Sequence, residues 1–297
     1  MTAFPFSSTT AKPARLIVVA LALLLGLILL LAGPAQPAAA SCGGVTIVGN
    51  ETQLNAAIAA YNAVGTSPCV FTIQFSGDIP LTASTTTINN ATAGVELVIE
   101  GAGFAVDGQG TDGVRPFDIA ANTTVTMNQI TVTGGHLTVA VDAGGGIRNR
   151  GVLTITNSSI NDNESLLFGG GIANETGGAL TIRNSTVSGN RTIAQGGGII
   201  NYEVLTLDSV TMTGNQTGGG GALFITGSSA VATIRNSILA NTTGGTTNDC
   251  ETISGGTVTD GGHNLVEAQN GCGFVDGVNG NIVGQDLGPS DGFSVTS

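Results

Sequence analysis

Between residues 144 and 241 the chain repeats one pattern four times, and that repetition limits it to a single kind of architecture. The units begin at Gly144-Gly145-Gly146-Ile147, Gly169-Gly170-Gly171-Ile172, Gly196-Gly197-Gly198-Ile199 and the looser Gly220-Gly221-Ala222-Leu223, with starts 25, 27 and 24 residues apart. Each glycine cluster leads into a short alternating strand: LTIT at 153–156, LTIR at 180–183, LTLD at 205–208 and ATIR at 232–235. A second alternating stretch then closes on Asn163, Asn190, Asn215 and, one residue short, Asn241. One such unit cannot bury its own apolar face and must stack on its neighbours, so the period means a solenoid.

The period-2 alternation makes that solenoid β rather than α, because Leu180 and Ile182 point one way while Thr181 and Arg183 point the other. The expected fold is all-β: a right-handed parallel β-helix with a short N-terminal capping helix. Stacking places Ile155, Ile182, Leu207 and Ile234 in one interior column, and Ile160, Val187, Met212 and Leu239 in another. VTMNQITVTGG at 125–135 aligns with the same pattern and brings Met127 and Val132 into the columns one coil earlier. Asn163, Asn190, Asn215 and Asn241 are expected to form a turn ladder. The helix is expected at Glu51 to Asn62, with Leu54, Ile58 and Tyr61 on one face and Asn50 as N-cap, covering an open strand edge.

Lys12 and Arg15, an apolar run from Leu16 to Ala32 and the stretch ending Ala38-Ala39-Ala40 read as a secretory signal over 1–40. The competing reading is an uncleaved membrane anchor, disfavoured by Pro34 and the alanine cleavage site. Removing Lys12 and Arg15 leaves six arginines against twenty acidic residues, a net charge of −14. Such a surface repels nucleic acid and anionic membrane. No transmembrane span is expected once the signal is cut. Cys42, Cys69, Cys250 and Cys272 fall in two pairs outside the repeats. Three connectivities are open to them. Because the core separates the pairs, Cys42–Cys69 and Cys250–Cys272 are the expected bonds.

GGGIRNRGVLTITNSSINDN and its copies resemble the secreted bacterial right-handed β-helix repeat proteins that carry a choice-of-anchor Q region, a pectin-lyase-like shape. Asn248-Asp249-Cys250, Gly261-Gly262-His263-Asn264-Leu265-Val266, Cys272-Gly273-Phe274 and Ile282-Val283-Gly284 follow that family's end-of-helix pattern. The repeats are more distantly similar to those of chlamydial polymorphic outer-membrane proteins. The resemblance covers roughly 45–289 and implies export and shape rather than an activity. The family usually runs on past Leu287-Gly288-Pro289, whereas this chain stops at SDGFSVTS. The organisation read from this is 1–40 signal, 41–94 N-terminal cap and first coils, 95–243 repeats, and 244–297 C-terminal coils with a truncated cap.

The chemistry-bearing residues are sparse. Enzymes on this kind of fold need convergent carboxylates, with a base or a calcium cluster beside them. Asp208 lies in register with Arg183 and Arg235, which reads as a cross-coil ion-pair ladder. Asp107, Gln109 and Asp112 in VDGQGTDG offer oxygen donors of the kind calcium takes, but a turn explains them better and no cofactor is expected. His136, Asp142, Arg148 and Arg150 are the only candidates for a catalytic group. The sequence therefore predicts a non-catalytic secreted or cell-surface protein, at an outer membrane or cell envelope, serving adhesion, envelope structure or glycan contact. Its partner would be an extracellular polysaccharide or another envelope component. The alternative is a polysaccharide lyase or glycoside hydrolase.

Overall fold

The computed structural model describes residues 40–138, 142–245 and 247–285. The expected leader, apart from Ala40, and the end of the expected 244–297 C-terminal region, from 286 onward, lie outside those residues. The described chain is all-β but for one helix, and its parallel strands stack as a solenoid of about 8 turns. Alternation decides the interior. Ile73, Ile99, Met127, Ile155, Ile182, Leu207 and Ile234 pair in register from coil to coil, all fully buried. Ile79, Val106, Val132, Ile160, Val187, Met212 and Leu239 form the second column in the same way. Both columns match the sequence expectation and extend it towards the N-terminus. The intervening Thr126, Thr154, Thr181, Thr206 and Thr233 line up on the outer face.

Between the two columns the chain turns a corner on one left-handed residue per coil: Gln129, Asn157, Asn184, Ser209 and Asn236, with φ of 51°, 52°, 47°, 60° and 52°. Asparagine tolerates this region because its short side chain bonds locally. Just past the corner, buried hydroxyls stitch coils together. The Ser158 amide donates to Ser185 Oγ at 3.0 Å, and that hydroxyl donates to the Arg183 carbonyl at 2.6 Å.

The asparagine ladder holds for three of its four expected rungs. Asn163 Nδ2 donates to Asn190 Oδ1, and Asn190 Nδ2 to Asn215 Oδ1, each at 3.0 Å between buried side chains. Asn241 is not the fourth rung. Gln216 pairs with Thr243, so Thr242 stands opposite Asn215, and Asn241 sits half-buried one residue early. Thr242 is buried and donates its amide and hydroxyl to Asp249 Oδ1 at 3.0 and 2.6 Å. Burial raises the Asp249 pKa, and these hydrogen bonds only partly offset it.

Each glycine in a triplet answers a different constraint. The first, at Gly144, Gly169 and Gly196, has φ of 76°, 61° and 71°, where a side chain is strained. A Cβ on the second, Gly145 or Gly170, would collide with carbonyls of two neighbouring segments, Glu164 and Gly170 in one case, Arg191 and Gly197 in the other. A Cβ on the third, Gly146 or Gly171, would strike the Asn163 or Asn190 carboxamide. The triplet and the ladder therefore require each other.

Both ends are tied. The helix Glu51–Asn62 has the expected bounds and cap. The Gln53 amide donates to Asn50 Oδ1 at 3.0 Å, while Gln53 Oε1 accepts from Gly49 N at 2.8 Å, a reciprocal cap that satisfies two otherwise orphaned donors. Leu54, Ile58 and Tyr61 are fully buried, against the strands Thr46–Val48 and Cys69–Phe75. Cys42–Cys69 and Cys250–Cys272 are disulfide-bonded, as expected. Each bond joins one coil to the next, since Ala40 pairs with Cys69 and Cys250 with Gln269.

Candidate functional site

A seven-stranded parallel sheet carries the convergence of charged groups that Asp142, Arg148 and Arg150 lead to. Its strands include Phe117–Ile119, Ile147–Asn149, Ile172–Asn174, Ile199–Asn201 and Leu223–Thr226, paired in that order. The last residue of three of them is a buried asparagine. Asn149 Nδ2 donates to Asn174 Oδ1 at 2.8 Å, and Asn174 Nδ2 to Asn201 Oδ1 at 2.7 Å. This second ladder was missed in the sequence, although its signal, G-G-G-I-x-N, is written three times at 144–149, 169–174 and 196–201. It fixes the corner from which the next residue of each coil points outward: Arg150, Glu175 and Tyr202.

Two residues earlier in each strand a second outward column runs Asp118, Arg148, Ala173, Ile200 and Phe224. Its charged end is closely knit. Arg148 grips Asp118 with two hydrogen bonds, Nε to Oδ1 at 3.0 Å and Nη2 to Oδ2 at 2.7 Å, and reaches Asp142 Oδ1 at 3.1 Å. Arg150 Nη2 donates to Asp118 Oδ1 at 3.0 Å. The buried Arg115 lies 2.5 Å from Asp142 Oδ1 and donates to the carbonyls of Ala143 and Gly144. Burial alone would raise the Asp118 pKa, but hydrogen bonds and charge from Arg148, then Arg150 and Arg115, bring it below the ordinary aspartate value. Burial lowers the Arg115 pKa despite Asp142 beside it.

The apolar end of the column is covered rather than exposed. Ala143, Phe168 and Gln195 pair in register just ahead of the glycine triplets and form an overhang. Beneath it Ala173, Ile200 and Phe224 are buried in a small cluster with Ala143, flanked by Phe168 and Tyr202. A groove of about 380 Å³ opens between the overhang and the outward column, lined by Ala143, Phe168, Arg150, Glu175, Thr176 and Tyr202. Burial raises the Glu175 pKa against the pull of Arg148, Arg150 and Arg115. Burial, then the Glu175 charge, raises that of Tyr202. Arg150 Nε is buried without an acceptor among the described residues.

Of the catalytic candidates, the structure thus brings together Asp142, Arg148 and Arg150 but not His136. That residue lies on the five-stranded sheet, its Nδ1 3.5 Å from Glu164 Oε2, and Glu164 in turn pairs with Arg191 at 3.0 Å. The sequence reading missed Arg115, Asp118 and Glu175 as site residues, because their convergence depends on coil register and on the overhang. Of the calcium candidates, Asp107 serves a local turn with Gln109 and Asp112 a link to the next coil. Asp107 Oδ1 accepts from the Gln109 amide at 2.7 Å, and Asp112 Oδ1 accepts from Thr138 N and Oγ1 at 3.2 and 2.6 Å. Among the described residues no three His, Cys, Asp or Glu side chains are grouped to hold a metal ion. Asp208 does bridge its neighbours, 2.6 Å from Arg235 and 4.0 Å from Arg183. At that exposure water screens the pairs and the ladder contributes little to stability. A larger groove of about 600 Å³ along the left-handed corner, past Gln129, Asn157 and Asn184, holds no ionisable side chain. Among the described residues no helix is long and apolar enough to cross a membrane.

Comparison with protein-family models, curated proteins and solved structures finds no match to this chain.

Proposed function

We propose that this chain is a non-catalytic, exported β-solenoid that serves as a contact surface, in adhesion, envelope structure or glycan binding. One observation carries the reading: the two aspartates of the cluster are bound to its arginines. Asp118 is held by two arginines and Asp142 by two. Asp118, fixed in this way and held below its ordinary pKa, is a poor proton acceptor. Export is supported by the leader-like sequence over 1–40 and by disulfides, which persist in oxidising compartments. We read the end-of-helix segment from Asn248 to Gly284 as that of a choice-of-anchor Q protein, pectin-lyase-like in shape, on the resemblance alone. The partner would be an extracellular polysaccharide or another envelope component.

The alternative, a polysaccharide lyase or glycoside hydrolase, draws on Glu175, whose raised pKa suits a general acid. A hydrolase needs a second carboxylate free to work opposite it, and its neighbours Asp118 and Asp142 are both engaged. The test is incubation of the purified chain with acidic and neutral polysaccharides, with calcium or with chelator. Retention on a glycan or envelope fraction without new reducing ends or unsaturated products is expected. Cleavage of any of them would replace this reading with the enzymatic one.

A further inference from the structure

We propose that the groove between the overhang and the Arg150–Glu175–Tyr202 column binds one unit of a neutral pyranoside. The proposal rests on the reading of the chain as a contact surface and names what one part of that surface holds. Two kinds of group meet in the groove. Phe168 on the overhang and Tyr202 on the column present aromatic rings, and a sugar ring offers apolar C–H faces to pack against such rings. Beside them stand unmatched polar groups. The Glu175 carboxylate has no hydrogen bond from any described residue, although it is half-buried, and Arg150 Nε has a proton to donate and no acceptor. The Glu175 carboxylate opens onto the groove, and the Arg150 side chain, 34% exposed, brings guanidinium N–H groups to the same place. A polyol suits both, since one hydroxyl donates to Glu175 while another accepts from the exposed part of the Arg150 guanidinium.

Charge balance selects a neutral ligand. Arg115, Arg148 and Arg150 stand against Asp118, Asp142 and Glu175, three cations and three anions in one network. An acidic sugar would bring a carboxylate to Glu175 with no spare cation, because Arg148 and Arg150 are already bonded to Asp118. The raised pKa of Glu175 agrees with a site that disfavours further negative charge.

The chain contains no tryptophan and only two tyrosines. Tyr61 is fully buried in the helix interface, so a change in tyrosine emission on ligand binding reports Tyr202. The experiment titrates the full chain with neutral hexasaccharides of the cellulose, xylan, mannan and starch types, and with oligogalacturonate as the acidic counterpart. Tyrosine fluorescence and calorimetry are read together. At least one neutral oligosaccharide is expected to bind. Glu175→Gln should weaken it by about tenfold, the loss of one hydrogen bond to a charged group. Tyr202→Ala should remove it, and Thr206→Ala on the outer face of the next sheet should leave it unchanged, with melts confirming that all three variants fold.

Binding by none of the neutral oligosaccharides would overturn the proposal, as would binding by oligogalacturonate alone. Binding that Glu175→Gln and Tyr202→Ala leave intact would dismiss this groove while keeping the contact-surface reading. Cleavage that disappears in Glu175→Gln would do the reverse: it would support the groove as the sugar site and sink the non-catalytic reading.

Discussion

The Asn190 carboxamide donates to the Ile160 carbonyl and to Asn215 Oδ1, and accepts from the amide and Nδ2 of Asn163. Asn241, which looks like its repeat equivalent in sequence, makes one side-chain contact, to Thr213 Oγ1 at 3.4 Å. The difference is measurable. Asn190→Ala removes these bonds and leaves the buried Asn163 amide without its acceptor, and should cost roughly 2–4 kcal/mol in urea unfolding. Asn241→Ala should stay within about 0.5 kcal/mol. Equal losses would show that both positions are rungs and that the Thr242 register is wrong. The fourth rung was misread because residue spacing alone cannot tell a shortened coil from a slipped one. Only the pairing of Gln216 with Thr243 separates them. Asn149, Asn174 and Asn201 went unread for another reason. They lie two residues after the isoleucine of each unit's opening motif, where the glycines had already accounted for the pattern.

At the level of the coil, the glycine triplet is a packing device more than a flexible hinge. Gly170→Ala would drive a methyl group into the Arg191 and Gly197 carbonyls, and should lower stability by about 2 kcal/mol or more. Gly219→Ala has open space, with only the Ala194 carbonyl at 3.8 Å, and should be nearly neutral. Thermal melts of the two variants make the comparison, and a similar loss in both would reduce the triplet to a generic turn. The strands were legible because side-chain alternation at period 2 is a local signal: Leu153 and Ile155 are buried while Val152 is exposed. The overhang was not legible, since Ala143, Phe168 and Gln195 share no residue type and pair only because the triplets behind them turn the chain back. The groove depends on that overhang, so Glu175 and Tyr202 had no reason to stand out in the sequence.

The whole molecule behaves as a stack in which each coil contacts its neighbours, so its stability is a sum of coil and interface contributions. Among the described residues, the disulfides tie the two outermost coils to the coils behind them. Replacing Cys250 and Cys272 with serine opens a loop with a sequence separation of 22 and should cost about 3 kcal/mol. Hydrogen exchange should quicken in the C-terminal coils and stay unchanged around Ile182. Uniform loss of protection along the chain would mean that the stack melts as one unit. The cysteine pairing was legible because the two pairs are separated by the repeats. The ion pairs across Asp118 were not, because Arg148 and Arg150 meet it from a coil some thirty residues away.

The same two bonds govern how this molecule would bear tension. The strand hydrogen bonds run along the stack, so a pull on either terminus loads them one coil at a time and the outermost coil peels first, at low force. Cys42–Cys69 and Cys250–Cys272 sew those outer coils to the ones behind them with covalent links. Peeling then cannot begin at the weakest seams, and force passes inward to coils held on both sides. A stack of coils clamped in this way resists unravelling under shear, where the same stack with reduced cysteines would fray from its outer coils.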